Sequence, residues 1–121
     1  MTVEHLSVAF EDSRGSITDV LQSLSVEHIA LFQTRKGSVR GNHYHVHSTA
    51  LIYVLQGAFK VRARLDDGPI EFTFVKAGDL LTLLPRERHV LVAEEDSVFL
   101  MMTHGPDGGR QYVSDTVQEA V

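Results

Sequence analysis

The chain has 121 residues, of which 43% are hydrophobic and 22% are charged, values typical of one soluble globular domain with a hydrophobic core. Its formal net charge is −5 and its basic residues are scattered, which argues against a nucleic-acid partner because a phosphate backbone requires a concentrated positive surface. No apolar run is long enough for a membrane-spanning helix, the first residues lack a signal-peptide pattern, and cysteine is absent, so we expect a cytoplasmic protein with no membrane contact, disulfide or thiolate ligand.

Short apolar or alternating segments, separated by turn residues, predict about ten β-strands. In chain order they are LSVAF, SITDVL, HIALFQT, HYHVH, ALIYVLQ, AFKVRARL, IEFTFVK, LLTLL, HVLVA and VFLMMT. The clearest is 58–65, where apolar and basic side chains alternate with the period of a half-buried strand. Only the tail, 114–121, is compatible with a short helix. The pattern predicts an all-β sandwich or barrel in a single domain covering residues 1–121.

Histidines occupy every second position of the segment HYHVH. Because side chains alternate along a strand, His43, His45 and His47 are predicted to project from one face. Imidazoles spaced in this way can converge on one metal ion, about 2 Å from each ring nitrogen. The other interpretation is that they are surface histidines, or core histidines satisfied by hydrogen bonds.

Two stretches around these histidines resemble the motifs of the cupin superfamily. The first motif is a Gly, five residues, His-x-His, four residues, a Glu, six residues and a Gly. Residues 37–57 reproduce this spacing with one substitution, Ala50 in place of the Glu. The second motif, a Gly, a Pro and a His, is matched more loosely by Gly78, Pro85 and His89.

The resemblance covers about residues 30–103 and implies a cupin double-stranded β-helix, a jelly-roll barrel. It also implies that His43, His45 and His89 bind a divalent transition metal inside the barrel. Imidazole ligands suit Zn, Fe, Ni, Mn or Cu, so the sequence does not identify the ion.

Ala50 stands where the cupin motif has its fourth ligand, and three interpretations are open. Three neutral imidazoles alone could bind the metal and leave positions for water and substrate. His47 could supply the missing ligand, or Gln56, which has the inward parity of the strand that contains Ala50. In the third interpretation the site has no metal, and His43 or His45 acts as acid or base near neutral pH.

Three arginines lie beside the motif histidines in the sequence. Arg40 precedes GNHYH, and Arg86 and Arg88 precede His89. Guanidinium groups on both sides of the histidines could bind the carboxylate or phosphate of a ligand, although loop arginines are more often simply solvated. The remaining histidines are interpreted as surface or packing residues; they are His5, His28 and His104.

A second resemblance concerns the substrate. The runs EDSRGSITDVL and KGSVRGNHYH resemble those of nucleotide-sugar cupins, the ketoisomerases and epimerases of deoxysugar and capsule biosynthesis. This resemblance implies a metal-independent site in which His43 or His45 removes a proton next to a ketone and Arg40 faces the diphosphate.

Three functions therefore compete. The first is a small cupin that binds a divalent metal through its histidines and takes a small anionic metabolite as ligand or substrate. The second is a metal-independent nucleotide-sugar ketoisomerase or epimerase, and the third is a non-enzymatic module that binds a small metabolite. The cupin resemblance also predicts a homodimer formed through an edge strand such as LSVAF.

Overall fold

The computed structural model describes residues 1–105 and 112–121. Within these ranges the chain forms twelve strands and one short helix. The strands are β1 (Thr2–His5), β2 (Phe10–Asp12), β3 (Gly15–Ile17), β4 (His28–Thr34), β5 (Val39–His45), β6 (Thr49–Gln56), β7 (Ala58–Leu65), β8 (Glu71–Lys76), β9 (Asp79–Leu83), β10 (Glu87–Ala93), β11 (Ser97–His104) and β12 (Thr116–Gln118), and the helix is α1 (Tyr112–Asp115). No helix in the described ranges is long and apolar enough to cross a membrane.

Ten of the strands form two antiparallel sheets. The first sheet has the order β1-β9-β6-β11-β4 and the second has the order β12-β5-β10-β7-β8, while β2 and β3 form a separate hairpin. Several neighbours in each sheet are distant in the chain, as in a jelly roll, whose strands pass from one sheet to the other. The predicted all-β cupin fold is confirmed.

The main core lies between the two sheets and follows from the two-residue period of the strands. Ile52 and Val54 of β6 face Phe59 and Val61 of β7, and all four belong to one cluster of buried side chains. Burying an apolar side chain of this size stabilises the fold by about 1.5–3 kcal/mol. A smaller cluster on the outer side of the first sheet is covered by the chain before β4; it contains Leu51, Leu80 and Met102, packed by Leu6, Val20, Leu21 and Val26.

Two expectations for the ends of the chain are wrong. The segment LSVAF is not the first strand, because β1 ends at His5 and only Phe10 of that segment lies in a strand. The tail is not a helix over 114–121, since α1 ends at Asp115 and residues 116–118 form β12. β12 pairs with the last three residues of β5, whose backbone groups would otherwise form an open sheet edge.

A bulge in β5 sets the direction of the side chains around the site. The pairing of β5 with β10 shifts so that His43 lies opposite His89 while Gly41 lies opposite Val90, which leaves Asn42 as the extra residue. Gly41 has φ +111°, and a Cβ on it would lie 2.5 Å from the carbonyl oxygen of His89. Only glycine fits there without a shift of the backbone.

Candidate functional site

The structure brings His43, His45 and His89 together in the barrel interior. His43 and His45 lie on β5, and His89 lies opposite His43 on β10. The ring centroids are 4.7 Å apart for His43 and His89, 5.1 Å for His43 and His45, and 5.4 Å for His45 and His89. One nitrogen of each ring lies within 4.8 Å of the others. We call these three residues the histidine trio.

Hydrogen bonds orient two rings of the trio. The Nδ1 of His89 lies 2.9 Å from the carbonyl oxygen of Glu87. A carbonyl can only accept, so Nδ1 carries the proton and Nε2 keeps its lone pair. The Nδ1 of His45 lies 3.2 Å from the hydroxyl of Thr116 on β12.

Burial keeps the trio neutral at pH 7. Removal from water lowers the pKa of His43, lowers the pKa of His45 to about 4 and lowers the pKa of His89 to about 3. Neighbouring imidazoles lower the last two values further, whereas Asp115 acts in the opposite direction on His45. Neutral imidazoles can accept a proton or bind a metal, but they do not attract an anion by charge.

Neither of the two possible extra ligands joins the trio. The strand β5 ends at His45, so alternation stops there and His47 is exposed in the following bend. Gln56 is the last residue of β6 and is also exposed. The predictions that His47 shares the face of His43 and His45 and that Gln56 points inward are wrong, because both residues lie where the strand leaves the core.

Arg40 faces the same side of the sheet as the trio because of the bulge. It lies opposite Leu91, a core residue, although strict alternation would point Arg40 and His43 to opposite faces. Its guanidinium reaches β4, where Nε donates to the hydroxyl of Thr34 at 2.7 Å and the group lies 5.2 Å from the ring centroid of Phe32. Arg40 therefore spans the gap between the edges of the two sheets.

Arg86 and Arg88 lie on the outer face instead. Arg88 is next to His89 on β10 and has the opposite parity, and it donates to the backbone carbonyl of Asp66 at 2.7 Å. The guanidinium of Arg86 lies 5.9 Å from the ring centroid of Tyr44. Both arginines line an outer cavity of about 210 Å³, so the prediction that all three arginines bracket the trio is wrong.

Sequence reasoning missed three residues that hold the trio in place. Asp115 is buried, and its carboxylate accepts the backbone N–H of His47 at 3.0 Å and that of Ser48 at 3.0 Å. Thr116 contacts His45, and the carbonyl of Glu87 orients His89. The contact made by a backbone carbonyl cannot be predicted from residue identity. The roles of Asp115 and Thr116 were missed because the tail was interpreted as a helix.

Residues 10–85 match the family described as the polysaccharide biosynthesis C-terminal domain. The chain belongs to this family. The match covers more than half of the chain and includes β5, with two residues of the trio, but it ends before His89. No curated protein sequence matches the chain.

Solved structures with this fold include sugar ketoisomerases and a capsular polysaccharide assembling protein. QdtA, a sugar 3,4-ketoisomerase from Thermoanaerobacterium thermosaccharolyticum solved in complex with TDP, has a TM-score of 0.77 and 14% identity over 98% of this chain and 87% of that chain. WlaRA, a TDP-fucose-3,4-ketoisomerase from Campylobacter jejuni, has a TM-score of 0.79 and 11% identity over 98% and 88%. CapF, a capsular polysaccharide assembling protein from Staphylococcus aureus, has a TM-score of 0.67 and 22% identity over 96% of this chain and 33% of that chain. At these identities the similarity establishes a cupin-like fold.

Proposed function

We propose that this protein is a nucleotide-sugar ketoisomerase or epimerase that uses histidine as acid and base. The observation that carries the proposal is the trio of neutral imidazoles inside the barrel, with Arg40 on the same face. The family of polysaccharide biosynthesis domains and the similar fold of the two ketoisomerases support the same chemistry.

The chemistry needs one group that accepts a proton and then returns it. A base removes the proton from the carbon next to the ketone, and the electrons of the broken C–H bond form an enediolate. Moving a proton from the neighbouring hydroxyl to the former ketone oxygen, and returning one to the former ketone carbon, shifts the ketone by one position. A neutral imidazole suits this sequence because it becomes an acid once it has accepted the proton.

His43 is the best candidate for the base. It is half-buried, whereas His45 and His89 are 2% and 4% exposed, so a ligand that enters the barrel reaches His43 first. The pKa values of about 4 for His45 and about 3 for His89 make these two weak bases at neutral pH. We assign proton abstraction to His43. We assign to His45 and His89 the positioning of the ligand and of the His43 ring.

Arg40 is the candidate for the anionic end of the ligand. It is exposed, and its bonds to Thr34 and to the carbonyl of Gln33 hold the guanidinium in place. A fixed guanidinium binds phosphate oxygens with little further loss of entropy. A diphosphate at Arg40 would direct the attached sugar toward the trio.

The test is solvent exchange into a nucleotide-linked ketosugar. TDP-4-keto-6-deoxyglucose, the ligand found in a QdtA variant, is incubated with the protein in D₂O and followed by NMR. We expect deuterium next to the ketone, with a rate at least about 100-fold lower in His43→Asn. His47→Asn is the matched control, since it changes an exposed imidazole outside the trio. No exchange in this or any other nucleotide-linked ketosugar would contradict the proposal.

A second candidate function is the binding of a divalent metal. It is favoured by the approach of one nitrogen from each imidazole to within 4.8 Å of the others. The residues fit such an ion: the rings are neutral, and the bond from Nδ1 of His89 to Glu87 leaves Nε2 for the metal. Zn, Fe, Ni, Mn or Cu would polarise a ligand oxygen, while Ala50 leaves coordination positions open.

Elemental analysis of the untagged protein separates the two candidates. Metal binding predicts about one equivalent per chain, lost in both His45→Ala and His89→Ala. No metal after reconstitution with Fe, Mn, Ni and Zn would contradict it. A protein that binds the sugar nucleotide without metal and without solvent exchange would be the third alternative, a non-enzymatic binding module.

A further inference from the structure

The inner face of the first sheet carries a polar row of its own. His28 on β4, Thr103 on β11 and Ala50 on β6 lie directly opposite one another in the sheet. Thr103 alternates with Phe99 and Met101, which are both core residues, so its side chain also faces the barrel interior. We call the two polar residues, His28 and Thr103, the polar row; Ala50 lies beside Thr103 on its other side.

The polar row lies at the same end of the barrel as the trio. Only the three residues 46–48 separate His45, the last residue of β5, from β6, whose second residue is Ala50. Gly105 follows Thr103 by two positions and lies against this turn, since a Cβ on Gly105 would be 2.7 Å from the hydroxyl of Ser48. Facing sheets are about 10 Å apart, so the row and the trio lie on facing inner walls at this end of the barrel.

Thr103 is the unusual member of the row. It is 3% exposed, and its hydroxyl has no hydrogen-bond partner among residues 1–105 and 112–121. Buried hydroxyls normally have a partner, because losing the bond to water without replacement destabilises the fold. A valine would fill the same volume without that cost. We therefore expect the Thr103 hydroxyl to have its hydrogen-bond partner in the ligand-bound protein.

We propose that Thr103 binds the sugar part of the ligand, with its hydroxyl bonded to a ring hydroxyl or to the ketone oxygen. The polar row then forms the second wall of the ligand site, with His28 beside Thr103. Ala50, which stands where the cupin motif has a Glu, lies on the other side of Thr103 in the sheet. The proposal rests on the nucleotide-sugar function and deepens it by naming the residue that recognises the sugar.

The test compares Thr103→Val, which removes only the hydroxyl, with Thr103→Ser, which keeps it. Binding of TDP-4-keto-6-deoxyglucose and of TDP alone is measured by calorimetry, and Tm is measured without ligand. For Thr103→Val we expect a Kd about tenfold higher for the sugar nucleotide, an unchanged Kd for TDP, and a Tm that is unchanged or about 4 °C higher. Thr103→Ser is expected to bind like the wild type.

Each other outcome overturns the inference in a recognisable way. If the wild type binds the sugar nucleotide and Thr103→Val binds it equally well, the nucleotide-sugar function stands and Thr103 is not the recognition residue. If Thr103→Val loses Tm and weakens TDP and the sugar nucleotide alike, Thr103 is a structural residue. If the wild type binds neither these compounds nor any other nucleotide-linked ketosugar, the proposed function fails and this inference fails with it.

Discussion

His43 differs from His45 and His89 in its access to water, and this difference separates their roles. The two buried rings are held against rotation by Thr116 and by the carbonyl of Glu87, and their burial lowers the pKa of each, so they resist protonation. His43 shares their space but remains half-buried. One ring that can meet a ligand, supported by two fixed rings, is an arrangement suited to proton transfer or to metal binding.

The depressed pKa values predict a loss of stability in acid. In the unfolded chain these imidazoles titrate near 6.5, whereas in the fold the pKa is about 4 for His45 and about 3 for His89. Between these values the unfolded state binds more protons, so the free energy of unfolding falls as the pH falls. Each group contributes about 1.4 kcal/mol per pH unit. Urea unfolding at pH 7, 6 and 5 measures the slope.

Matched variants separate this effect from the titration of carboxylates. His89→Gln removes one of the two buried imidazoles and is expected to reduce the slope by about 1.4 kcal/mol per pH unit. His47→Gln is the matched control, because it removes an exposed imidazole outside the trio. Equal slopes in all three proteins would show that the trio is not the source.

At the scale of elements, the bulge in β5 places the site, and Gly41 makes the bulge possible. In Gly41→Ala the new methyl would meet the His89 carbonyl oxygen at 2.5 Å, which forces β5 and β10 apart. We expect the free energy of unfolding to fall by at least about 2 kcal/mol and proton exchange at the sugar to be lost.

Gly37→Ala is the control, because Gly37 has φ +83° but open space around its Cβ. The free energy of unfolding is expected to fall by about 1 kcal/mol in this variant. Equal losses in the two variants would contradict the steric explanation.

The turn between β5 and β6 depends on Asp115. Asp115→Ala leaves the backbone N–H groups of His47 and Ser48 without the carboxylate that binds them. We expect the free energy of unfolding to fall by about 3 kcal/mol, and by less in Asp115→Asn, which keeps an acceptor oxygen. Since Asp115 raises the pKa of His45, the Asn variant should also titrate His45 at a lower pH by NMR. An unchanged His45 titration would show that Asp115 acts only on the turn.

The sequence predicted those elements whose pattern is local. The local pattern of apolar or alternating runs between turn residues identified β4, β6, β7, β10 and β11 nearly to the residue, and in β7 apolar inner side chains alternate with basic outer ones. It failed where the conformation of a segment depends on its pairing with another strand. The end of β5 at His45, the bulge at Gly41 and the strand in the tail all depend on partners far along the chain.

The same limit applies to the candidate site. The cupin motifs brought His43, His45 and His89 together correctly, because their spacing encodes the strands that hold them. They gave no information on the opposite wall, and Thr103 belongs to no motif. The motifs also did not determine on which face of the sheet an arginine side chain near a histidine lies. Arg40 faces inward at a bulge, whereas Arg88 faces outward on a regular strand.

On the scale of the whole molecule, two sheet edges present apolar side chains to water. Phe72 and Phe74 on β8 are 74% and 67% exposed, and Ile29 and Leu31 on β4 are 60% and 59% exposed. Both strands end their sheets. Apolar edges of this kind commonly pair with another chain.

The homodimer suggested by the sequence remains a prediction, and we expect it to form through β8. A C2 dimer would pair β8 with its copy and bury the most exposed aromatic side chains on both subunits. β4 lies beside Arg40, where a partner would obstruct the proposed binding of the diphosphate. Sedimentation velocity should give twice the 13.5 kDa of one chain. The double variant Phe72→Thr/Phe74→Thr keeps strand propensity and should sediment as a monomer, whereas Ile29→Thr/Leu31→Thr should remain a dimer. A monomeric wild type would refute the dimer, and dissociation of the β4 variant alone would move the interface to the other sheet.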